Sequence, residues 1–184
     1  MTLAVQGIEE ALDGSSVYRR VREHMKQYYR DRIEIIDYAP RLRKHFESLN
    51  REWSDKYFRV EETDARLLSR PYQEIVKRGG AVVFARLDGR VVGTAALIRH
   101  EDGIFELAKM AVSELARRRM VGTKLTEAIL QHVRDLEGKE LYLETHRKLK
   151  AANALYEKMG FIKVEREVLP KKFRRDRIVM GREV

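Results

Sequence analysis

An α+β fold, with helices laid over a largely antiparallel sheet, is what this sequence predicts, on three observations. After Gly79-Gly80 the apolar residues change from the period of a helix to that of strands, and hold it to Val112. Two Asp-Gly dipeptides, Asp88-Gly89 and Asp102-Gly103, divide that stretch into three segments, and both suit tight turns that need positive φ. Around it, helical and strand patterns follow in the order β, α, α, three β, α, β, α, two β.

Taken in order, Ile8 and Leu12, and later Val21, Met25 and Tyr28, recur at helical spacing over residues 8–29, with Gly14-Ser15-Ser16 breaking the pattern. Arg32 to Tyr38 alternates as a first strand, and Pro40 stands where a helix can begin. Leu42, Phe46, Leu49 and Trp53 form one apolar helix face. A further helix is expected over Asp64 to Lys77, interrupted or kinked at Pro71, which has no N–H to donate. Ala81 to Leu87, Arg90 to Arg99 and Ile104 to Val112 are rich in β-branched and apolar residues and read as an antiparallel meander. Val121, Leu125, Ala128, Ile129, Val133 and Leu136 repeat with helical spacing, ending near Gly138. Leu141 to Thr145 is a strand and Leu149 to Met159 a helix stopped by Gly160. Phe161 to Val168 and Arg177 to Met180 make the last strand pair.

A chain of 184 residues, 43% of them hydrophobic, suits one compact domain. No run of about 18 apolar residues occurs and Met1 to Asp13 is mildly acidic, so no membrane partner and a soluble, cytoplasmic protein are expected. Cysteine is absent, which excludes disulfides, thiolate metal sites and a cysteine nucleophile. His24, His45, His100, His132 and His146 stand apart with no ligand-pair spacing, so no metal is expected. The net charge of +9 is uneven. From Arg147 to Val184 there are twelve Lys/Arg against five Asp/Glu. A second cluster, Arg117, Arg118, Arg119 and Lys124, sits at the head of a predicted helix, where a phosphate is also favoured.

The segment LAKMAVSELARRRMVGTKLTEAIL resembles the pyrophosphate-binding tract of the GNAT superfamily of acetyltransferases, a strand running into a loop of the form Arg/Gln-x-x-Gly-x-Gly/Ala and then a helix. Arg117 fills the first position and Gly122 the last, while Met120 stands where the family usually has its first glycine. Successive backbone N–H groups at a helix N-terminus can hold a pyrophosphate, and Gly122 permits close approach. The second tract, NALYEKMGF from Asn153 to Phe161 after the strand LYLET, resembles the family's other cofactor-facing segment. Asn153 and Tyr156 are three apart and share a helix face. Read alone, Arg117 to Lys124 is equally a solvated basic helix start, and Asn153 and Tyr156 equally a cap and a packed aromatic; the order of the two tracts, with a strand between, carries the resemblance. It covers residues 32–184 as one acetyltransferase domain and leaves 1–31 as an N-terminal helical extension.

The resemblance implies a mixed, mostly antiparallel central sheet flanked by helices, and acetyl-CoA as co-substrate, inserted at a splay between Ile104–Val112 and Leu141–Thr145. It implies direct attack by an amine, with the phosphates at Arg117, Arg118, Arg119, Met120, Val121, Gly122 and Thr123, the thioester and pantetheine near Ala111 and Val112, and further contacts from Asn153 and Tyr156. A phenol with pKa about 10 suits Tyr156 as the acid that protonates the leaving thiolate. For the base, Glu106 interrupts an otherwise apolar strand and Glu144 lies on the neighbouring one. Both can equally be structural ion-pair partners. By strict alternation Glu106 shares a face with Val112. The acceptor is a small-molecule or peptide amine, and the basic surface disfavours polycationic amines in favour of an amine that also bears a carboxylate or phosphate. A homodimer is one expectation, since many relatives pair through such sheets. Two other readings stand beside this one: a catalytically weak CoA-binding sensor or scaffold of the same fold, and a basic nucleic-acid-binding module, for which no base-reading motif is present.

Overall fold

The structure, a computed structural model, describes residues 16–57, 62–165 and 176–184, with residues 16, 53–57 and 62–64 described by backbone alone. The elements are α1 (Ser16–Arg32), β1 (Ile33–Asp37), α2 (Arg43–Tyr57), α3 (Glu62–Ser69), α4 (Pro71–Glu74), β2 (Ala81–Leu87), β3 (Arg90–Arg99) and β4 (Ile104–Val112). There follow α5 (Val121–Asp135), β5 (Glu140–His146), α6 (Lys150–Lys158), β6 (Ile162–Lys163) and β7 (Arg177–Glu183). The meander has the expected boundaries because its turns are written in the sequence. Asp88 and Gly89 take φ of 51° and 78°, the two consecutive left-handed residues of a tight hairpin, and Asp102 and Gly103 take 59° and 77°. Pro71 splits the helix expected over Asp64 to Lys77, ending one piece and opening the next at its first position. The expected break at Gly14-Ser15-Ser16 falls where the described helix begins, and residues before it lie outside the described residues, as does the part of the expected strand Phe161 to Val168 beyond Glu165.

Seven strands form one sheet in the order β1-β2-β3-β4-β5-β7-β6. Every neighbouring pair is antiparallel except β4 and β5. The last strand, β7, therefore enters between β5 and β6 and pairs with β5 from Glu140↔Glu183 to His146↔Arg177. The middle strands are covered on both faces. On one, Val83, Ala85, Leu97, Phe105, Leu107, Leu141 and Leu143 pack against Val121, Leu125, Ile129 and Val133 of α5, with Tyr156 and Phe161. On the other, Val82, Phe84 and Ala96 meet Leu42, Phe46, Leu68 and Ile75. Gly93 lets α5 sit close on β3: a Cβ there would lie 2.8 Å from Val121 Cγ1. Among the described residues, no helix is long and apolar enough to cross a membrane.

Two irregularities shape the centre of the sheet. The first is a fork. The parallel strands β4 and β5 are paired only from Ile104↔Glu140 to Leu107↔Leu143, after which β4 continues along β3 to Val112 and β5 along β7 to His146. Backbone groups of β4 beyond Leu107 thus lack a β5 partner on that side. The second is a bulge. Thr94 pairs with Ala111 and Ala96 with Ala108, so two steps on β3 face three on β4, and Lys109 takes φ of 49°. An extra residue reverses the alternation beyond it. Met110 and Val112 consequently pack on the same core as Phe105 and Leu107. Glu106 and Val112 lie on opposite faces, which corrects the expectation drawn from unbroken alternation.

Candidate functional site

The segment between β4 and α5 is built as a concave loop. After the short turn Glu114–Ala116, Arg118 and Met120 take φ of 62° and 63°, while Arg119 between them does not. Such alternation turns successive N–H groups toward one side. The position of Met120 favours glycine because of that φ, which costs an ordinary side chain about 1–2 kcal/mol. Methionine offsets this by packing its half-buried side chain against the main core. The first ladder bond of α5 runs from Lys124 N–H to Met120 C=O at 3.0 Å, so the N–H groups of Val121, Gly122 and Thr123 stand outside the helix's own ladder. No acidic residue occupies the first turn. Arg117, Arg118 and Arg119 are exposed here, Arg117 3.5 Å from Glu114 and Arg119 over the ring of Tyr29. A Cβ on Gly122 would meet Leu155 Cδ2 at 3.0 Å, so this glycine also sets the approach of α6 to α5.

The α6 helix carries the next two candidates to the fork. Asn153 accepts a hydrogen bond from Thr145 Oγ1 at 2.8 Å and donates to the His146 carbonyl at 3.1 Å. It clamps α6 to the free end of β5. One turn on, Tyr156 is 8% exposed, packs edge-on against Phe161, and directs its hydroxyl to Met110 Sδ at 3.8 Å. Met110 belongs to the part of β4 that has left β5. The phenol is thus at the open fork, on the α5–α6 face, and burial raises its pKa to about 12.

The opposite face holds the carboxylates. Glu106 lies in register with Tyr142, one pair before the fork opens. Its Oε2 accepts the Tyr142 hydroxyl at 3.2 Å and lies 3.2 Å from His100 Nε2, which is itself 3.0 Å from that hydroxyl. Glu144 is the first β5 residue beyond the pairing with β4, and Arg177 Nη1 donates to it at 3.0 Å. Alternation along β5 puts it on the face of Tyr142, opposite Leu141 and Leu143. Both glutamates are half-buried and both have polar partners. His100 and Tyr142 went unread in the sequence: the β3–β4 hairpin brings His100 to Glu106 and the parallel register of β4 and β5 brings Tyr142 there. The sign available for His100 was its place across the Asp102-Gly103 turn from Glu106, and for Tyr142 its sharing a face with Glu144. Ala111 and Val112 lie on the far arm of the fork, paired with Thr94 and Gly93 of β3. Among the described residues, no three His, Asp or Glu are grouped to hold a metal ion.

The profile of the acetyltransferase (GNAT) family matches residues 42–161, well over half of the chain. The chain is 35% identical over 88 residues to a probable N-acetyltransferase, camello, of Xenopus tropicalis, spanning 47% of this chain and 40% of that one. It is 37% identical over 93 residues to the uncharacterized N-acetyltransferase YjgM of Escherichia coli K12, spanning 49% of this chain and 56% of that one. The matches thus cover about half of the curated relatives' length or less. Among solved structures, a GNAT-family acetyltransferase of Staphylococcus aureus Mu50 superposes with a TM-score of 0.72 at 24% identity, over 82% of this chain and 98% of its own. The yncA putative acetyltransferase of Salmonella typhimurium, solved with acetyl-CoA, superposes with a TM-score of 0.66 at 19% identity, over 83% and 94%. With the profile matched over more than half of its length, the chain belongs to the GNAT family of acetyltransferases.

Proposed function

We propose that this protein transfers an acetyl group from acetyl-CoA to a primary amine by direct attack within a ternary complex. The observation that carries this reading is the fork between β4 and β5, with the Tyr156 hydroxyl on one face and Glu106 and Glu144 on the other. The residues suit CoA. The loop Arg117–Thr123 offers backbone donors and cations to phosphates, and the unpaired edge of β4 near Ala111 and Val112 offers backbone groups to an amide-bearing arm. When bound, acetyl-CoA supplies an acyl group activated as a thioester.

The chain's own residues divide the remaining work by face. Tyr156, kept neutral by burial, donates its proton to the departing sulfur from the α6 side and is reprotonated by the second proton that the attacking nitrogen sheds as the amide forms. Glu106 takes the proton of the incoming ammonium from the other side, held by Tyr142 and His100. Glu144, oriented by Arg177, borders the same face and contacts the acceptor. Asn153 keeps α6, and hence Tyr156, fixed to the end of β5. A base and an acid at one gap suit a reaction in which an amine loses a proton, adds to a thioester carbonyl, and the thiolate expelled from the tetrahedral intermediate gains one.

The acceptor we favour is a small-molecule or peptide amine that also carries a carboxylate or phosphate, given the net charge of +9. A cytoplasmic setting, a homodimer, and the division into an extension (1–31) and a catalytic domain (32–184) belong to the same reading. The left-handed backbone at Met120 supports a loop shaped to hold phosphate despite the missing glycine, which weighs against the sensor reading. The Lys/Arg excess between Arg147 and Val184, on which the nucleic-acid reading draws, lies partly outside the described residues. An acetyl-CoA-dependent screen of amine acceptors, with released thiol as readout, tests the proposal; tight CoA binding without turnover on any amine would favour the sensor instead.

A further inference from the structure

Helix α1 lies outside the residues matched by the family profile, yet two contacts join it to the head of α5. Arg30 Nη2 meets Glu127 Oε1, in the second turn of α5, at 2.7 Å. The guanidinium of Arg119 lies over the ring of Tyr29, 5.4 Å from its centroid. Tyr29 is half-buried against the main core and meets Tyr28 edge-on, with centroids 5.5 Å apart. Its ring is therefore held from behind. Arg32 pairs with Asp88 in the β2–β3 turn, fixing the end of the same helix.

The stack has a chemical consequence for Arg119. A ring face is not a conventional hydrogen-bond acceptor, so a cation held over it keeps its N–H donors available for oxygen acceptors. Among the described residues Arg119 has no carboxylate in ion-pair contact, whereas Arg117, two residues away, has Glu114. A carboxylate in the place of Tyr29 would orient the arginine and neutralise it. An aromatic ring orients it and leaves its charge intact. Arg119 is thus a preorganised, uncompensated cation beside the N–H groups at the start of α5, the combination that binds phosphate oxygens.

We propose that α1 forms the outer wall of the phosphate end of the CoA site, with Tyr29 as the positioning residue that directs Arg119 at a phosphate of the nucleotide. This rests on the CoA-dependent reading above. Its consequence is that the helical extension belongs to the binding site.

Calorimetric titration of CoA tests it with Tyr29→Leu, which keeps apolar volume and removes the π face, Tyr29→Phe, Arg119→Ala, and the Tyr29→Leu/Arg119→Ala pair. Tyr29→Leu should weaken CoA binding about two- to fivefold, the worth of an exposed cation–π contact, and raise KM for acetyl-CoA without changing kcat. Tyr29→Phe should match the unsubstituted protein, and Tyr29→Leu should add nothing once Arg119 is alanine. Losses that multiply in the pair, or a Phe variant as weak as the Leu variant, overturn the proposal. Dephospho-CoA, which lacks the 3′-phosphate, identifies the target: a Tyr29→Leu loss that disappears with this probe assigns the 3′-phosphate, and one that persists assigns the pyrophosphate. Absence of CoA binding in the unsubstituted protein would instead bring down the acetyltransferase reading itself, a result distinct from either.

Discussion

At the scale of residues, Tyr156 is defined by where its proton stays. Burial pushes its pKa to about 12, so the phenol stays protonated at neutral pH. Tyr156→Phe should keep CoA affinity and lower kcat by about 10²–10⁴, read in steady-state kinetics; an unchanged kcat would hand the leaving-group proton to water. The same substitution has a signature in stability. A group with its pKa raised on folding stabilises fully below its unfolded value, here about 10, and loses that contribution as pH rises to about 12, because the unfolded chain releases a proton the folded chain keeps. Urea midpoints measured between about pH 9 and pH 11 should therefore fall less steeply in Tyr156→Phe. Glu106 stands one pair before the fork, with Tyr142 and His100 as partners. Glu106→Gln should lower kcat and remove the acidic limb of the pH–rate profile, whereas Glu144→Gln should raise KM for the acceptor. Retention of the limb in Glu106→Gln would leave proton removal to another group.

At the scale of elements, the head of α5 depends on a backbone conformation that its sequence resists. Met120 stands at φ 63° and ψ 0°, a region open to methionine at modest cost and closed to a β-branched side chain. Met120→Gly should leave CoA affinity unchanged, since relief of the backbone offsets lost packing. Met120→Val should lower both the melting temperature and CoA affinity, measured by thermal unfolding and titration; a Val variant indistinguishable from the parent would show that the loop tolerates another shape. The seat of α5 on the sheet is set elsewhere, at Gly93. Gly93→Ala places a methyl 2.8 Å from Val121 Cγ1 and should destabilise the fold by about 1–3 kcal/mol in chemical denaturation.

At the scale of the whole molecule, helices on both faces of the sheet leave the fork as the passage from one face to the other. The loop Arg117–Met120 leads from the arm of β4 that has left β5 into α5, and Glu106 and Glu144 flank the last β4–β5 pair, Leu107↔Leu143. A ligand that occupies loop and fork together binds only the folded chain, so acetyl-CoA at 100 times its Kd should add about 2.7 kcal/mol of stability and raise Tm. No shift at millimolar acetyl-CoA would remove the enzyme reading. The placement of α1 across the same end predicts that cofactor protection reaches it too, visible as slower amide exchange near Tyr29.

The sequence by itself determined the elements and their order. Asp88-Gly89, Asp102-Gly103, Pro71 and Gly160 punctuate the chain through local backbone sterics, which act wherever the residue stands, and the tracts at Arg117–Thr123 and Asn153–Phe161, each contiguous in the chain, carried the resemblance to the family. What only tertiary structure decided was pairing. The bulge at Lys109 exists because β4 must match β3 over unequal lengths, and it alone sends Glu106 and Val112 to opposite faces. The insertion of β7 beside β5 brings Arg177 to Glu144, the parallel register of β4 and β5 brings Tyr142 to Glu106, and the docking of α1 brings Tyr29 to Arg119. Each of these contacts joins residues far apart in the chain, where propensity and spacing carry no information because the energy lies in the approach of two surfaces.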